Sequence, residues 1–290
     1  MSGSNHVPMT PNSIAANGKI LDLTAPRIMG ILNLTPDSFF DGGRYQDLDA
    51  VLKRVASMIR EGADIIDIGG MSSRPGAAVI PAEEEYRRIM PALKEIRRQY
   101  PDIWISVDTV HSEIARAAAE EGSDMINDIS AGTFDDSMFR VIGEIGLPYI
   151  LMHMQGMPDT MQQNPQYDDV IREVLRFLLS RVRTLRDLGV RDLIVDPGIG
   201  FGKSVAHNYQ ILEHLEVFRI IDAPLLIGLS RKSMICKVLH VDPKNALNGT
   251  TALHMIALRN GARILRVHDV RQAREVILLH EQLANPLKTS

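Results

Sequence analysis

Eight short apolar runs, each followed by a segment with helical spacing of apolar residues, are the feature that most constrains the fold of this 290-residue chain. Seven of the runs end abruptly in polar residues, and the eighth, 264–267, carries Arg266 and ends at His268 and Asp269. The seven ends are Asn33, Asp67 with 69–70, Asp108, Asn127, His153, Asp196 and 230–232. Because parallel strands in an α/β barrel place their carboxyl ends at one face, these polar groups are predicted to converge there.

The runs are rich in Ile, Val and Leu without strict alternation, which is typical of parallel strands buried on both faces. The predicted strands are 27–33, 64–69, 103–108, 124–128, 148–153, 192–196, 224–229 and 263–268. The predicted helices are 49–61, 82–99, 112–121, 136–145, 169–188, 208–219, 244–260 and 270–283. Eight such units without an intervening linker predict an α/β fold, a single (β/α)8 TIM barrel, with a doubly wound open sheet as the alternative.

The start of the chain is predicted to lie outside the barrel. Residues 1–12 lack apolar periodicity and predict a flexible N-terminus, so 13–290 form the single predicted domain. Asn17 and Gly18 form the dipeptide favoured in a type I′ turn, and 13–16 and 19–23 therefore predict a β-hairpin. Since it directly precedes the first barrel strand, we expect this hairpin to cap the bottom of the barrel.

Composition excludes several classes of function. A net charge of −4 argues against a nucleic-acid binder that relies on bulk positive charge. The apolar stretches are far shorter than the roughly 18 residues that span a bilayer, and no secretion signal is evident at the start, so we expect neither membrane insertion nor export. Cys236 is the only cysteine, which excludes an internal disulfide and fits the cytoplasm.

The glycine-rich segment 196–204 is not a nucleotide motif. A phosphate-binding P-loop requires glycine where Pro197 stands, and a dinucleotide fingerprint requires glycine where Lys203 stands. Two interpretations remain. The segment is either a structural turn or a tight strand-to-helix loop whose glycines allow the backbone and Phe201 to approach a flat ligand.

Two sectors of opposite charge are predicted at the strand ends. Asp108, Asn127 and Asp196 each allow a structural salt bridge, but together they suit a heterocycle edged with amino and N–H groups, because carboxylates accept paired hydrogen bonds. The segment 230–233 supplies an arginine and a lysine, and 266–268 supplies an arginine and a histidine. These cations predict an anion site, for instance for a diphosphate, with a surface charge cluster as the alternative for 230–233.

Three further features lie near these sectors. The long polar loops 33–43 and 69–76 are rich in glycine and proline, and they predict lids over a substrate. The Asn33 amide oxygen is a candidate ligand for Mg²⁺. Diphosphate oxygens and waters would complete the coordination shell of that ion. His153 has no second metal ligand at helical spacing, so we expect it to pack in the wall or to support another group.

The segments 33–43, 69–76, 108–109, 127–129, 151–154, 196–203, 230–233 and 266–270 resemble, in this order, the motifs of the dihydropteroate synthase family. The resemblance covers about residues 20–284. This pterin-binding family joins 6-hydroxymethyl-7,8-dihydropterin diphosphate to 4-aminobenzoate, which releases diphosphate and gives 7,8-dihydropteroate for folate synthesis. It implies a TIM barrel, a Mg²⁺ cofactor and a homodimer formed through late helices, where Leu253, Ile256 and Ala257 are core or interface.

The resemblance also implies the site residues. Those for the pterin diphosphate are Ser73, Asp108, Asn127, Met152, Asp196, Phe201, Lys232, Arg266, Val267 and His268. Those for 4-aminobenzoate are Phe39, Ser73, Arg74, Pro75, Ser230 and Lys232, with Asp41, Arg74, Lys232 and Arg266 catalytic and Asn33 binding the metal. We expect an SN1-like substitution in which diphosphate leaves early and the neutral arylamine then attacks, without a strong base.

The second loop departs from the family pattern, which usually reads Gly-Gly-Glu-Ser-Thr-Arg-Pro-Gly. Met71 replaces the glutamate, which puts any essential role of that acid in doubt, whereas Ser73 replaces the threonine and keeps its hydroxyl. No insertion of the kind seen in sulfonamide-insensitive variants stands beside residues 73–75. We therefore predict that sulfonamides inhibit this protein.

Two other functions are alternatives. A pterin-binding methyltransferase of the same superfamily, which passes a methyl group from a folate to a corrinoid protein, would not need 230–232 or the anion site at 266–268. A non-catalytic pterin-binding paralogue should have lost loop or anion residues, whereas Asn33, Asp41 and Arg74 are all present. These residues favour the synthase.

Overall fold

The computed structural model describes residues 12–35, 44–71, 79–156, 161 and 165–284. A two-stranded hairpin precedes eight parallel strands that close into a barrel. The hairpin strands are β1 (Ser13–Ala16) and β2 (Lys19–Asp22), and the barrel strands are β3 (Arg27–Asn33), β4 (Ile65–Gly69), β5 (Trp104–Asp108), β6 (Met125–Asp128), β7 (Tyr149–Met152), β8 (Leu193–Asp196), β9 (Leu225–Ile227) and β10 (Ala262–Val267). Because β10 pairs with both β9 and β3, the predicted TIM barrel is confirmed and the open sheet is excluded.

Helices follow the strands as predicted, with two differences. They are α1 (Arg44–Glu61), α2 (Ala82–Gln99), α3 (Ser112–Glu120), α4 (Met138–Ile145), α5 (Val170–Asp187), α6 (Val205–Glu213), α7 (Ser233–Leu239), α8 (Leu247–Arg259) and α9 (Val270–Ala284). The predicted helix 208–219 is divided into α6 and the 3₁₀ helix Leu215–Ile221. Helix α7 was not predicted, because only Met234 and Ile235 of its seven residues are buried and two buried residues cannot reveal a periodic pattern.

The core has two layers. Alternate residues of the barrel strands, such as Ile66, Val107 and Leu265, point outward and pack against the surrounding helices. The remaining positions fill the barrel interior, which is apolar at the bottom and polar at the top. The polar side chains therefore converge at one end, as the sequence predicts.

The hairpin closes the lower end of the barrel. Asn17 and Gly18 both have positive φ, at 51° and 75°, as a type I′ turn requires. Leu21 and Leu23 are buried in one cluster with Met29 and other side chains near the strand starts. The predicted hairpin and its capping position are both confirmed.

A buried carboxylate joins the hairpin to the barrel. Asp124, directly before β6, is fully buried. Its Oδ2 accepts hydrogen bonds from Lys19 Nζ at 2.7 Å, Arg97 Nη2 at 2.5 Å and the main-chain N–H of Ile105 at 2.9 Å. Its Oδ1 accepts from Asn17 Nδ2 at 3.1 Å. Both oxygens are therefore satisfied by protein groups.

Two expectations from the sequence concern the N-terminal segment and membrane insertion. Of the segment 1–12 that was predicted to be flexible, only Asn12 lies within the described residues. No helix among those residues is long and apolar enough to cross a membrane.

Candidate active site

The upper end of the barrel assembles the predicted polar residues. Asp108 and Asp196 are the last residues of β5 and β8, and Asn127 pairs in register with Asp108. Arg266 lies one residue before the end of β10, and Lys232 follows β9 directly before α7. The strand geometry thus places groups from five different units around one mouth, which is how a barrel builds a site.

Arg266 is at the centre of this arrangement. Its Nε donates to Asp67 Oδ2 and its Nη2 donates to Asp108 Oδ2, each at 2.6 Å. Burial works against the guanidinium charge, but the carboxylates of Asp67 and Asp108 outweigh it and raise the pKa of Arg266. The group is therefore a permanent, fixed cation inside the site.

Asp67 is a site residue that the sequence interpretation did not assign. It is fully buried, and its Oδ2 also accepts a hydrogen bond from Asn127 Nδ2 at 3.2 Å. Its Oδ1 has no hydrogen-bond partner among the described residues. The sequence places Asp67 near the end of an apolar run, which was the available signal for a site residue. Only the structure shows that its side chain points into the barrel beside Arg266.

Asp108 has an unusual protonation equilibrium. Burial raises its pKa to about 7, while Arg266 opposes the shift and the carboxylates of Asp67 and Glu85 add to it. Since the Arg266 guanidinium lies 2.6 Å away, the ionised form has a fixed partner. Burial and the neighbouring carboxylates therefore work against the charge of Asp108, and the Arg266 guanidinium favours it.

Glu85 of α2 lies behind Asp108 and was also not predicted. It is fully buried, and its Oε2 accepts a hydrogen bond from Thr109 Oγ1 at 2.6 Å. Burial raises its pKa to about 7, and the hydrogen bond from Thr109 opposes that shift. The signal that was available is its place on the buried stripe of α2 with Ile89 and Ile96.

Asp196 and Lys232 form the opposite side of the mouth. Asp196 Oδ1 accepts from Gly198 N at 2.7 Å, and burial raises the pKa of Asp196 while Lys232 opposes the shift. Lys232 Nζ donates to Ile199 O at 2.5 Å and lies 4.5 Å from the centroid of the Phe201 ring. Burial lowers the pKa of Lys232 to about 8, against the attraction of Asp196. The cation is thus held over an aromatic face.

An apolar wall adjoins these groups. The predicted wall residues Met152 and Phe201 lie in one buried cluster, with Met71, Val110, Ile129 and Met161 as its other buried members. Met71 is only 8% exposed there. The position at which the family usually has glutamate is therefore part of an apolar surface in this chain.

The anion sector differs from the prediction at one residue. Arg231 was counted among its cations, but its Nε and Nη2 donate to Asp269 at 2.8 and 2.9 Å. Its Nη1 donates to the carbonyl oxygens of Pro243 and Lys244. The prediction for Arg231 is wrong, because its φ of 54° and these hydrogen bonds direct its guanidinium to the loop after β10 and to the segment between α7 and α8.

The other residues of that sector are placed at the same end. Ser230 is buried, and its Oγ accepts a hydrogen bond from His268 N at 3.4 Å. Asn33 is the half-buried last residue of β3. The side chain of Val267 packs in the core between barrel and helices, so only its main chain is available to the mouth. The predicted residues Phe39, Asp41, Ser73, Arg74 and Pro75 lie outside the described residues.

The chemistry of the Asn33 side chain limits which metal ion this residue can bind. Among the described residues, no group of three or more His, Cys, Asp or Glu side chains is arranged to hold a metal ion. One amide oxygen is a hard donor that suits Mg²⁺, an ion that keeps several waters and often binds through substrate phosphates. The Asn33 amide oxygen is therefore compatible with a Mg²⁺ ion that arrives with a diphosphate, and the described residues include no cluster that would enclose a metal ion.

Comparisons with known proteins agree with this geometry. A model of the family described as pterin binding enzyme matches residues 29–268. Dihydropteroate synthase of Escherichia coli strain K12 is 45% identical over 92% of this chain and 94% of its own length. A Yersinia pestis dihydropteroate synthase, solved in a sulfonamide drug complex, has a TM-score of 0.88 at 41% identity, covering 94% of this chain and 99% of that one.

A Xanthomonas albilineans dihydropteroate synthase, solved with 4-aminobenzoic acid, has a TM-score of 0.88 at 39% identity, covering 94% of this chain and 98% of that one. Fold, site and family model together define a pterin-binding barrel enzyme. At this identity and coverage, the chain belongs to the dihydropteroate synthase family.

Proposed function

We propose that this protein condenses 6-hydroxymethyl-7,8-dihydropterin diphosphate with 4-aminobenzoate to give 7,8-dihydropteroate and diphosphate, as a transferase of folate synthesis. One observation carries the proposal beyond family membership. The acceptors Asp108, Asn127 and Asp196, all buried, share one mouth with the half-buried cations Lys232 and Arg266. That mouth matches a substrate with an amino-rich ring at one end and a diphosphate at the other.

The pterin ring is assigned to the acidic side. Asp108 and Asp196 accept from its amino and N–H groups, since both carboxylates are buried where few other donors reach them. Asn127 supplies both an amide oxygen and an amide N–H, and the N–H is directed to Asp67 at 3.2 Å. Met152 and Phe201 cover the faces of the ring from the apolar wall.

The diphosphate is assigned to the cationic side, with Lys232, Arg266, His268 and Ser73. Asn33 is assigned as the protein ligand of Mg²⁺, which would neutralise charge on the diphosphate oxygens. The side chain of Lys232, held between Asp196 and the Phe201 ring, joins the two sides. Val267 is assigned to the diphosphate side through its main chain, since its side chain packs in the core.

The chemistry follows from this charge distribution. The bond between the pterin methylene carbon and the diphosphate oxygen breaks first, and Arg266 and Lys232 stabilise the charge that develops on the leaving group. The electron-rich pterin ring stabilises the methylene cation. The neutral amine of 4-aminobenzoate then forms the carbon–nitrogen bond and afterwards loses a proton, so a strong general base is unnecessary.

The second substrate and its competitors are assigned to the loop side of the mouth. Phe39, Ser73, Arg74, Pro75, Ser230 and Lys232 frame the 4-aminobenzoate, and Asp41 joins the loops over the reacting centre. Relatives solved with 4-aminobenzoic acid and with a sulfonamide drug support this assignment. Sulfonamides should therefore compete with 4-aminobenzoate; turnover that resists high sulfonamide would contradict this.

The single cysteine, which cannot form an internal disulfide, supports a cytoplasmic location.

Self-association is assigned to the late helices α8 and α9. Ala257 is buried and Leu253 packs against the core, whereas Ile256 of α8 is 39% exposed. Helix α9 packs beside α8 and exposes Leu279 and other leucines. We expect Ile256→Asp with Leu279→Asp to convert a dimer to a monomer in light scattering, whereas Ile220→Asp, on another exposed surface, should not.

The reaction is tested by measuring pteroate and diphosphate with and without 4-aminobenzoate. The proposal requires pteroate formation that depends on both substrates. A protein that binds pterin but forms no pteroate would be a non-catalytic paralogue. Methyl transfer from a methylated folate to a corrinoid protein, without pteroate formation, would establish the methyltransferase alternative.

A further inference from the structure

Lys203 is a buried cation that the proposed reaction does not use. It is 2% exposed, and it lies in the glycine-rich loop between β8 and α6. Its Nζ lies 2.9 Å from Gly198 O, 3.0 Å from Phe201 O and 3.3 Å from His153 O. A fourth neighbour is His153 Nδ1, at 2.9 Å. All the ammonium protons are thus directed to groups of the chain itself.

The identity of these neighbours favours one protonation state for each of the two side chains. Carbonyl oxygens only accept, so three of them around one nitrogen favour the ammonium form of Lys203. Burial lowers its pKa well below the usual value, and Asp196 opposes that shift. Because an ammonium only donates, His153 Nδ1 is the acceptor and the proton of the neutral imidazole lies on Nε2.

The surroundings of His153 favour the same neutral form. Its ring meets the Phe177 ring edge-on, with the centroids 5.0 Å apart, and it lies 6.1 Å from the Tyr167 ring. Burial, with the nearby ammonium of Lys203, lowers the pKa of His153 to about 2. An imidazole in this setting is a poor acid or base near neutral pH.

The two loops that Lys203 joins touch each other through their backbones. Gly198 has a φ of 71°, and a Cβ there would lie 1.9 Å from His153 O. Gly202 has a φ of 61°, and a Cβ there would lie 2.2 Å from Gln155 O. No side chain fits between the backbones at these two glycines, so the hydrogen bonds of Lys203, with that from Tyr167 Oη to Gly202 O, add side-chain links to the backbone contact.

We infer that Lys203 and His153 form a positioning pair that ties the loop after β7 to the loop after β8 and so fixes the pterin contacts. The first loop follows Met152, and the second carries Asp196 at its start and Phe201 near its middle. Lys203 acts as an internal cross-link, and His153 acts as its neutral acceptor. The inference rests on the proposed pterin site, because it assigns these loops a ligand.

The first test replaces each member of the pair. Lys203→Met keeps the length of the side chain without its donors, and His153→Leu removes the acceptor. We expect each to weaken pterin binding about tenfold to 100-fold, the scale of loss when contact groups are displaced by about 1 Å. His153→Asn is the matched control, because its amide oxygen can replace Nδ1 as acceptor, and it should retain affinity within about threefold.

Steady-state kinetics and NMR separate positioning from general damage. In folded Lys203→Met and His153→Leu, KM for the pterin diphosphate should rise, while KM for 4-aminobenzoate should stay within about twofold. The ¹⁵N signals of His153, assigned by their absence in His153→Asn, should report an Nε2–H imidazole that stays neutral from pH 5 to pH 9.

Three results would overturn the inference. They are wild-type pterin affinity in folded Lys203→Met, a His153 imidazole that titrates near pH 6.5, and His153→Asn as defective as His153→Leu. If Lys203→Met does not fold, the affinities of the two histidine variants and the NMR signals of His153 still test the inference. Wild-type protein that binds no pterin would refute the proposed function instead, and the NMR result on the pair would stand by itself.

Discussion

The two ends of the barrel use the same residue types to opposite effect. At the lower end, Asp124 is surrounded by Lys19, Arg97 and Asn17, and both of its oxygens are satisfied by protein donors. At the upper end, Asp67 shares Arg266 with Asp108, and one Asp67 oxygen has no partner among the described residues. The lower cluster is complete without a ligand, and the upper one is not.

The lower end of the barrel therefore contributes to stability, and the upper end is arranged for binding. A saturated carboxylate joins the hairpin, α2 and β5 and leaves nothing for another molecule to bind. Buried carboxylates that lack donors are costly, and that cost is relieved when a substrate supplies the donors. We therefore expect changes at the lower end to alter unfolding and changes at the upper end to alter turnover.

The largest expected effect is on catalysis at the upper end. Lys232→Ala should lower kcat by about 10²-fold to 10³-fold, the usual result of removing one group that stabilises transition-state charge. Its melting temperature should stay the same or rise, because burial disfavours this cation, as its lowered pKa of about 8 indicates. Near-normal turnover would contradict the role assigned to Lys232.

The next effect is on stability at the lower end. Asp124→Ala should reduce the free energy of unfolding by about 3 kcal/mol, since Lys19 and Arg97 lose their shared partner. Urea titration measures this change, and kcat of the folded fraction should remain normal. A variant that is stable yet inactive would break the distinction between the two ends.

A third effect concerns pH and Glu85. Its folded-state pKa of about 7 exceeds the ordinary value of 4.5, so its contribution to stability is complete below pH 4.5 and is lost as pH rises towards 7. The loss amounts to about 3 kcal/mol at most, at 1.36 kcal/mol for each pKa unit. Glu85→Gln should remove this contribution from the difference between urea titrations at pH 5 and pH 8, whereas the contribution of Asp108, whose pKa burial also raises, should remain.

Glu83 provides the control for that measurement, because it lies on the exposed face of the same helix. Glu83→Gln should retain the wild-type pH dependence of unfolding. If both variants behave alike, Glu85 makes no contribution of its own to the pH dependence, and the raised pKa assigned to it is wrong.

The smallest effect is expected in the hairpin turn. Gly18→Ala should cost about 1 kcal/mol, because alanine disfavours the positive φ that Gly18 adopts. A Cβ there would meet nothing within 4 Å, so the cost is conformational alone. Thermal unfolding should detect it, and a loss several times larger would indicate that the turn also supports the barrel above it.

The sequence predicted the barrel, the hairpin and the convergence of Asp108, Asn127, Asp196, Lys232 and Arg266, because strand ends and turn dipeptides are local signals. The contribution of Asp67 was missed, because its importance comes from a guanidinium 199 positions away. Arg231 was misassigned, because a positive φ turns its side chain to Asp269 and no local pattern reveals that.

The closure of the barrel also has a consequence for how the chain folds. Strand β10 pairs with β3, so Ile264 lies beside Arg27 across almost the whole length of the chain. Contacts between such distant segments form slowly, and a chain emerging from the ribosome cannot make this one until its last strand has been synthesised. Arg266 is part of that strand, so Asp67 and Asp108 lack their cationic partner until residues 262–267 have been synthesised. Catalytic competence should therefore appear last in refolding, after the helices have formed.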